Sequence, residues 1–150
     1  TIGDYAFYNC TQLAGNFDMT HTEYLQTIGA YAFYNCANMT GSIDLSQSWE
    51  LLEIDDYAFY GCSKLTGILS FNENHGYAGQ FQRIGDYAFY GCTGIQGMDL
   101  SKASSSLQEI GDYAFYGCTG MESFVWSYYG PREIGESAFE NCTGLRYMKK

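Results

Sequence analysis

The sequence predicts an α/β solenoid, with a parallel β-sheet on one face and short helices on the other. Two observations predict it. One motif recurs six times along the 150 residues, and each copy passes from a helix-like turn into alternating apolar residues. A single globular core has no reason to repeat in this way, whereas stacked turns place equivalent residues in equivalent environments. We therefore expect one solenoid domain over residues 1–150 with about six repeats.

The repeated segment runs from Ile2 to Cys10 in the first copy, and Ala and Phe occupy the same two slots in every copy. Equivalent side chains of stacked turns form an inward column, where Cys packs as a small hydrophobic residue. This favours a buried column of free thiols, and bridging of some pairs is the alternative. The cysteines that mark the turns are Cys10, Cys36, Cys62, Cys92, Cys118 and Cys142.

In five of the six copies an acidic residue shortly before the Ala-Phe pair, such as Asp4 or Asp56, predicts the start of a short helix. Free N–H groups and the helix dipole favour negative charge there, and Ala-Phe supplies the buried face. The residue before each Cys is Gly or Asn in all six copies. Because these residue types tolerate a left-handed backbone, this slot predicts the end of the helix.

A short strand with one buried face is predicted next, because apolar residues alternate in segments such as Phe17-Asp18-Met19 and Ile43-Asp44-Leu45. The first three copies carry one more residue before this strand than the fourth and fifth, which predicts a β-bulge. Segments of variable length then lead into the next copy, and we expect them to form loops along one edge.

The fourth copy reads Ile-Gly-Asp-Tyr-Ala-Phe-Tyr-Gly-Cys-Thr-Gly-Ile from Ile84, after the apolar lead-in Phe81-x-x-Ile84. With its five companions, this segment resembles the BspA-like leucine-rich repeat family over essentially the whole chain. The resemblance implies a solenoid with a parallel sheet on one side and short helices on the other. It also implies a secreted or surface-displayed protein that takes part in adhesion and protein binding. The predicted location is therefore extracellular or at the cell surface.

Composition excludes several classes of function. The chain has 17 acidic and 7 basic residues and a net charge of −10, which argues against binding to nucleic acids or anionic membranes. No apolar run approaches the ~20 residues of a membrane span. The sequence shows no zinc-binding Cys pair, no nucleophile elbow and no phosphate loop, so we expect no enzyme, metal or cofactor. The absence of an initial Met and leader predicts a processed protein or a fragment.

Three aspartates, Asp18, Asp44 and Asp99, occupy the outward position of predicted strands. Parallel strands lie about 4.8 Å apart, so these like charges would favour a cationic partner or a metal. A solvated polar face is the alternative to a basic protein partner. Calcium is the weakest option, because separated monodentate carboxylates form a poor calcium cage.

Paired tyrosines recur in the first five copies. Members three residues apart share one side of a helical turn, so stacked turns would align two tyrosine columns. Either the rings pack on neighbouring turns with their hydroxyls in water, or they form an aromatic contact surface, since Tyr is enriched at protein interfaces. The pairs are Tyr5 and Tyr8, Tyr31 and Tyr34, Tyr57 and Tyr60, Tyr87 and Tyr90, and Tyr113 and Tyr116.

The ends of the chain differ in charge. Residues 1–63 hold eight acidic and no basic residues, whereas Arg146, Lys149 and Lys150 lie within the last five. A basic end that meets an acidic end favours head-to-tail stacking, a contact that propagates as a fibre. The alternative is that the chain is a piece of a longer repeat array.

Three Asn-x-Thr sequons could accept glycans if a eukaryote secretes the chain: Asn9, Asn38 and Asn141. Asn38 is expected to be the most accessible, because the other two occupy the predicted helix-terminating slot.

The fold we predict is a right-handed leucine-rich repeat solenoid. We expect a non-enzymatic extracellular protein that self-associates, through its ends and its aromatic surface, into fibres or surface assemblies. The alternative is a monomeric adhesin or receptor module that binds a foreign protein on its strand face.

Overall fold

The computed structural model describes residues 1–19, 21–71, 81–101, 107–126 and 130–149. Short β-strands and turns make up these residues, and no helix occurs among them. The strands are β1 (Gly15–Asn16), β2 (Thr27–Ile28), β3 (Met39–Thr40), β4 (Asp44–Leu45), β5 (Glu53–Ile54), β6 (Gly67–Phe71), β7 (Arg83–Ile84), β8 (Ile95–Leu100), β9 (Glu109–Ile110), β10 (Ser123–Trp126), β11 (Glu133–Ile134) and β12 (Tyr147–Lys149).

Two five-stranded parallel sheets run along the solenoid. One has the order β12-β10-β8-β6-β4 and contains four of the five strands predicted from alternating apolar residues. The other, in the order β11-β9-β7-β5-β2, is built from the lead-in segments before each copy, and the sequence did not predict it. A separate parallel pair joins β1 and β3. The strand predicted at Phe17–Met19 is wrong, because the strand of that copy is β1.

The register between the third and fourth copies is irregular, but the extra residue lies on the other strand from the one predicted. Between β6 and β8 the register shifts at Gly67 and Ile68, which pair with Ile95 and Gly97. The shift lies where the spacing from cysteine to strand becomes one residue shorter between the third and fourth copies. Gln96 of the fourth copy is thus left without a partner residue, and not a residue of the longer third copy.

The predicted short helices are wrong, because tandem turns replace them. In the first copy the N–H groups of Ala6, Tyr8 and Cys10 each donate to the carbonyl three residues earlier. The intervening N–H groups of Tyr5, Phe7 and Asn9 donate instead to carbonyls of the following copy. A one-turn helix would leave most of its end groups without partners, whereas this arrangement pairs alternate groups within and between copies.

The core consists of columns of equivalent side chains. The Ile, Ala, Phe and Cys slots of the second to fifth copies are at most 2% exposed. The Phe rings form one continuous stack from Phe7 to Phe139, with neighbouring centroids 5.0–5.3 Å apart. Stacked turns therefore bury one continuous core.

All six cysteines are free. Cys36, Cys62, Cys92, Cys118 and Cys142 are buried, and each thiol donates to a Phe carbonyl of the preceding copy at 3.0–3.1 Å. Cys10, in the first copy, is exposed. Burial raises the pKa of the Cys62 thiol to about 12. The buried thiols therefore stay protonated and act as structural hydrogen-bond donors.

Within the described ranges, no helix is long and apolar enough to cross a membrane.

Candidate functional site

Two columns of stacked tyrosines lie on the surface of the tandem turns. Neighbouring rings within a column have centroids 4.7–5.1 Å apart and planes within 14° of parallel. Within each copy the two rings are tilted against each other at 5.5–5.8 Å. We call this surface the tyrosine face. Its first column is Tyr5, Tyr31, Tyr57, Tyr87 and Tyr113, and its second is Tyr8, Tyr34, Tyr60, Tyr90 and Tyr116.

The first tyrosine of every pair has a left-handed backbone, with φ between 55° and 58°. Side chains other than Gly, Asn and Asp rarely adopt this conformation, which costs about 1–2 kcal/mol per residue. The following Asn or Gly slot has positive φ as well, as predicted. Ser137 has the same conformation in the sixth copy without a ring, so the backbone hydrogen bonds between copies, such as that from Tyr113 N–H to the Glu136 carbonyl, hold this conformation.

The inner tyrosines are half-buried, whereas Tyr5 and Tyr8 at the start of the columns are 57% and 47% exposed. Burial, followed by the neighbouring rings and the carboxylates of Asp86 and Asp56, raises the pKa of the Tyr57 phenol. The hydroxyl therefore stays neutral at physiological pH. In the sixth copy the columns end, and the Ser137 hydroxyl donates to Glu140 at 2.6 Å.

A column of carboxylates borders the tyrosine face. Asp86 Oδ1 accepts the N–H of Asp112 at 2.8 Å, and Asp112 Oδ1 accepts the N–H of Glu136 at 2.7 Å. Asp4 and Asp56 do the same for Ala30 and Asp86. These residues were expected to begin helices, and that expectation is wrong, because each carboxylate holds the next copy rather than its own turn.

One position breaks the column and is compensated. Ala30 stands where the other copies have an acidic residue, so it offers no side-chain acceptor to Asp56. The N–H of Asp56 instead donates to Asp55 Oδ1 at 2.8 Å. Asp55 occupies a slot that is otherwise Gly, as at Gly29, where an added Cβ would collide with Asp4. Because Ala30 has no side-chain oxygen, the contact that Asp4 Oδ1 would make with a Cβ at Gly29 is absent beside Asp55.

The second sheet adds a parallel row of charged residues beside this border. In its register Glu53, Arg83, Glu109 and Glu133 lie side by side. The Arg83 guanidinium contacts Asp55 at 2.7 Å and Asp56 at 2.5 Å, with Glu109 at 3.7 Å. Further along, Asp86, Glu109, Asp112, Arg132 and Glu133 line an open groove of about 600 Å³.

The three strand aspartates have local partners. Asp44 and Asp99 each accept the N–H of the serine two residues later, at 2.9 and 2.8 Å, and so close a turn after the strand. Burial acts to raise the pKa of Asp44, but hydrogen bonds from Ser46 and Ser70 outweigh it and lower that pKa. Asp18 is exposed. The carboxylates of Asp44 and Asp99 therefore contribute to local structure.

The structure places the predicted basic residues at one end. Arg146 is exposed, its N–H donates to the Glu122 carbonyl, and Lys149 pairs with Val125 in the sheet. Lys150 lies outside the described residues. Apolar side chains are exposed at both ends, with Phe7 at 41% and Met148 at 46%.

Of the three sequons, Asn38 is the least exposed, which contradicts the expectation from sequence. Asn38 is half-buried, its amide donates to the Thr11 carbonyl at 2.8 Å, and its oxygen accepts from Lys64. Asn9 and Asn141 are exposed. A glycan on Asn38 would have to displace the hydrogen bond to Thr11.

The described residues contain no group of three or more His, Cys, Asp and Glu side chains that could hold a metal ion. The surface that the structure assembles is the tyrosine face with its acidic border. The sequence predicted both tyrosine columns, but it missed the row of charges on the second sheet. The recurring Leu-x-x-Ile lead-in was the available signal for that sheet.

Solved structures with the same fold include a leucine-rich repeat protein of T. pallidum, which is 26% identical, with a TM-score of 0.64 over 83% of this chain and 51% of that one. A leucine-rich cell surface protein of Faecalibacterium prausnitzii is 24% identical, with a TM-score of 0.72 over 99% and 36%. A leucine-rich repeat protein of Bacteroides ovatus is also 24% identical, with a TM-score of 0.61 over 97% and 39%. The chain thus spans about half or less of each relative.

No curated protein matches the chain significantly. The family model described as "BspA type Leucine rich repeat region (6 copies)" matches residues 1–81 and 77–149, which together are nearly the whole chain. With its repeated motif, its parallel sheets and its stacked core columns, the chain belongs to the BspA-type leucine-rich repeat family.

Proposed function

We propose that residues 1–150 form one non-enzymatic protein-interaction unit, displayed outside the cell or on its surface, with the tyrosine face as its contact surface. The observation that carries the proposal is the pair of stacked tyrosine columns on a strained backbone. Stacking holds the rings in place before a partner arrives, so binding costs little side-chain entropy. The F. prausnitzii neighbour, described as a cell surface protein, supports the location.

The alternative contact surface is the strand face with Asp18, Asp44 and Asp99. It has less support, because Asp44 and Asp99 already close turns within the chain. A carboxylate that leaves its turn to bind a partner would lose that hydrogen bond, which is worth about 1 kcal/mol or more.

The test measures binding of the immobilised chain to a panel of purified extracellular proteins. Tyr60→Ser/Tyr90→Ser removes two rings from the middle of the second column, whose slot accepts a polar residue, as Glu140 shows in the sixth copy. Asp44→Asn/Asp99→Asn is the matched change on the strand face. We expect the tyrosine variant to lose at least about ten-fold in affinity for any panel protein that binds, and the aspartate variant to stay within about two-fold.

The reverse pattern would transfer the function to the strand face, and an absence of binding across the whole panel would reject the proposal. Circular dichroism of each variant verifies that the fold is kept.

A second candidate function is self-association into fibres through the ends of the chain. Exposed Phe7 and Leu13 at one end, exposed Tyr147 and Met148 at the other, and the charge difference between the two halves favour it. Such a contact is heterologous and would propagate. Filaments in negative-stain electron microscopy with a repeat near one chain length would support this candidate, whereas monodisperse single chains in light scattering across a salt range would reject it.

A further inference from the structure

Carboxylates line one side of the tyrosine face along the axis of the solenoid. Asp56, Asp86 and Asp112 directly precede Tyr57, Tyr87 and Tyr113 of the first tyrosine column. The hydrogen bond that each of Asp86 and Asp112 accepts from the next copy uses Oδ1. Within the described part of the chain, no group donates a hydrogen bond to the second oxygen of either residue. One oxygen of each therefore remains available to an outside donor.

The border is two carboxylates wide over part of its length. Glu109 and Glu133 are neighbours in the second sheet, and with Asp86, Asp112 and Arg132 they line the open groove. Four acidic side chains and one basic one thus meet beside half-buried aromatic rings. A partner that covers this surface needs cationic groups to offset the charge.

Arg83 shows how a guanidinium binds in this row. It occupies the register position between Glu53 and Glu109, and its two terminal nitrogens contact Asp55 and Asp56. The planar guanidinium matches carboxylate geometry. The chain therefore already uses arginine to satisfy this border at one copy.

We propose that the tyrosine face and its carboxylate border dock an extended, arginine-rich segment of a protein partner that runs along the solenoid axis. This inference rests on the proposed function and names the partner chemistry of the same surface. Guanidinium groups pair with the free carboxylate oxygens of Asp86 and Asp112, and the apolar stems of the arginines pack on the edges of the tyrosine rings, because neighbouring rings cover the ring faces.

The spacing of the copies favours one peptide geometry. Rings in adjacent copies are 4.7–4.9 Å apart in the middle of the first column, so every second copy recurs after about 10 Å. A polyproline II helix rises 3.1 Å per residue with three residues per turn, so it presents one side chain in three on the same side, about every 9 Å. Arginines three residues apart can therefore follow alternate copies, so the peptide pairs with Asp112 in one register and with Asp86 in the register shifted by one copy.

A second copy of this chain does not fit the same surface. Two tyrosine faces brought together would place acidic borders in contact in a chain of net charge −10. Like charges in close contact weaken binding, whereas a basic segment neutralises the border.

The experiment titrates the chain into a fluorescein-labelled (Arg-Pro-Pro)₄ peptide and follows anisotropy at low salt and at 0.15 M salt. The comparison peptides are (Lys-Pro-Pro)₄ and (Glu-Pro-Pro)₄. We expect saturable binding of the arginine peptide that weakens with salt, binding of the lysine peptide that is about three-fold weaker, and no binding of the glutamate peptide.

The variants Asp86→Asn/Asp112→Asn keep Oδ1 as the acceptor for the next copy and remove both charges. They should weaken binding of the arginine peptide by about ten-fold. Asp44→Asn/Asp99→Asn changes the net charge equally on the other sheet, and it should stay within about two-fold. Tyr60→Ser/Tyr90→Ser should also weaken binding, whereas Tyr60→Phe/Tyr90→Phe, which keeps the rings, should not.

Equal weakening by the two asparagine pairs would overturn the inference, since net charge alone would then explain binding. Lack of saturable binding of the arginine peptide, or binding that ignores the loss of both rings, would overturn it as well. If panel proteins still need Tyr60 and Tyr90 in that case, the proposed function stands and the arginine preference alone is rejected. If panel binding ignores those tyrosines, the proposed function itself is rejected.

Discussion

Ala30 and Asp55 should behave as one energetic unit, because each departs from the repeat in a way that requires the other. Asp55 supplies the acceptor for the N–H of Asp56, which Ala30 cannot offer, and Ala30 lacks the side-chain oxygen that would crowd Asp55. Restoring the regular motif takes both changes, Ala30→Asp and Asp55→Gly. The two single variants and the double variant form a double-mutant cycle.

The structure sets the expected magnitudes. Asp55→Gly removes the hydrogen bond from the Asp56 N–H and one contact of Arg83. Because the Asp55 side chain is 30% exposed, we expect the free energy of unfolding to fall by about 2 kcal/mol. Ala30→Asp places a carboxylate against the Asp55 side chain. In the equivalent pair of the preceding copies, a Cβ at Gly29 would collide with the Asp4 carboxylate, so we expect this variant to lose about 1 kcal/mol of unfolding free energy. In the double variant the new carboxylate accepts the N–H of Asp56. The loss in unfolding free energy should then fall to about 1 kcal/mol, which comes from the missing Arg83 contact and from the added chain flexibility of glycine.

Guanidinium unfolding followed by Trp49 and Trp126 fluorescence measures all four chains. The expected coupling is about 2 kcal/mol, or roughly 4–8 °C in the thermal midpoint for a domain of this size. Asp86→Ala against Asp86→Asn tests the premise in a regular copy, because asparagine keeps the acceptor. Losses that add within about 0.5 kcal/mol would refute the compensation.

Three further predictions concern other parts of the chain. Gly111→Ala should lower the free energy of unfolding by about 2 kcal/mol, because its Cβ would meet the carboxylate and the backbone amide of Asp86. Gly3→Ala, in the same slot of the first copy, meets nothing within 4 Å and should change that free energy little. Equal unfolding midpoints for the two variants would contradict this packing. Since burial raises the pKa of the Cys62 thiol from 9.0 to about 12, the folded chain holds that proton more tightly. This stabilisation is fully present below about pH 9 and falls by about 1.4 kcal/mol per unit as the pH rises towards 12. The decline measured by unfolding between pH 9 and 11 should be shallower in Cys62→Ala, and an unchanged slope would show that the thiol is not the cause. Reversing Lys149 and Lys150 to Glu should shorten any polymer seen by electron microscopy, and polymers of unchanged length would reject end-to-end electrostatics.

The repeat allowed much of the molecule to be predicted. Identical slots in six copies predicted the stacked cores, and the period of two predicted most strands of the β12-β10-β8-β6-β4 sheet. The Gly or Asn slot before each cysteine predicted positive φ, and the structure has it in every copy. The tyrosine columns followed from the same equivalence, because stacked turns place the same residue at the same position.

The helices were mispredicted because an acidic residue, an Ala-Phe pair and a Gly or Asn are local signals of a short helix, and local propensity is weak. In the folded chain every second N–H of Tyr5 to Asn9 donates to the neighbouring copy, which an isolated turn cannot offer. The same contact between copies turned Asp86 and Asp112 into acceptors for the next copy.

The sequence by itself thus determined the solenoid, its core columns and the composition of the tyrosine face, since these depend on which residues recur. The tertiary structure alone decided the second sheet, the left-handed tyrosines, the compensation between Ala30 and Asp55, and the carboxylate border of the tyrosine face. Those features arise from contacts between residues 24 to 30 positions apart, or from positions where one copy departs from the repeated residue type. Their free energy depends on neighbours that are not adjacent in sequence.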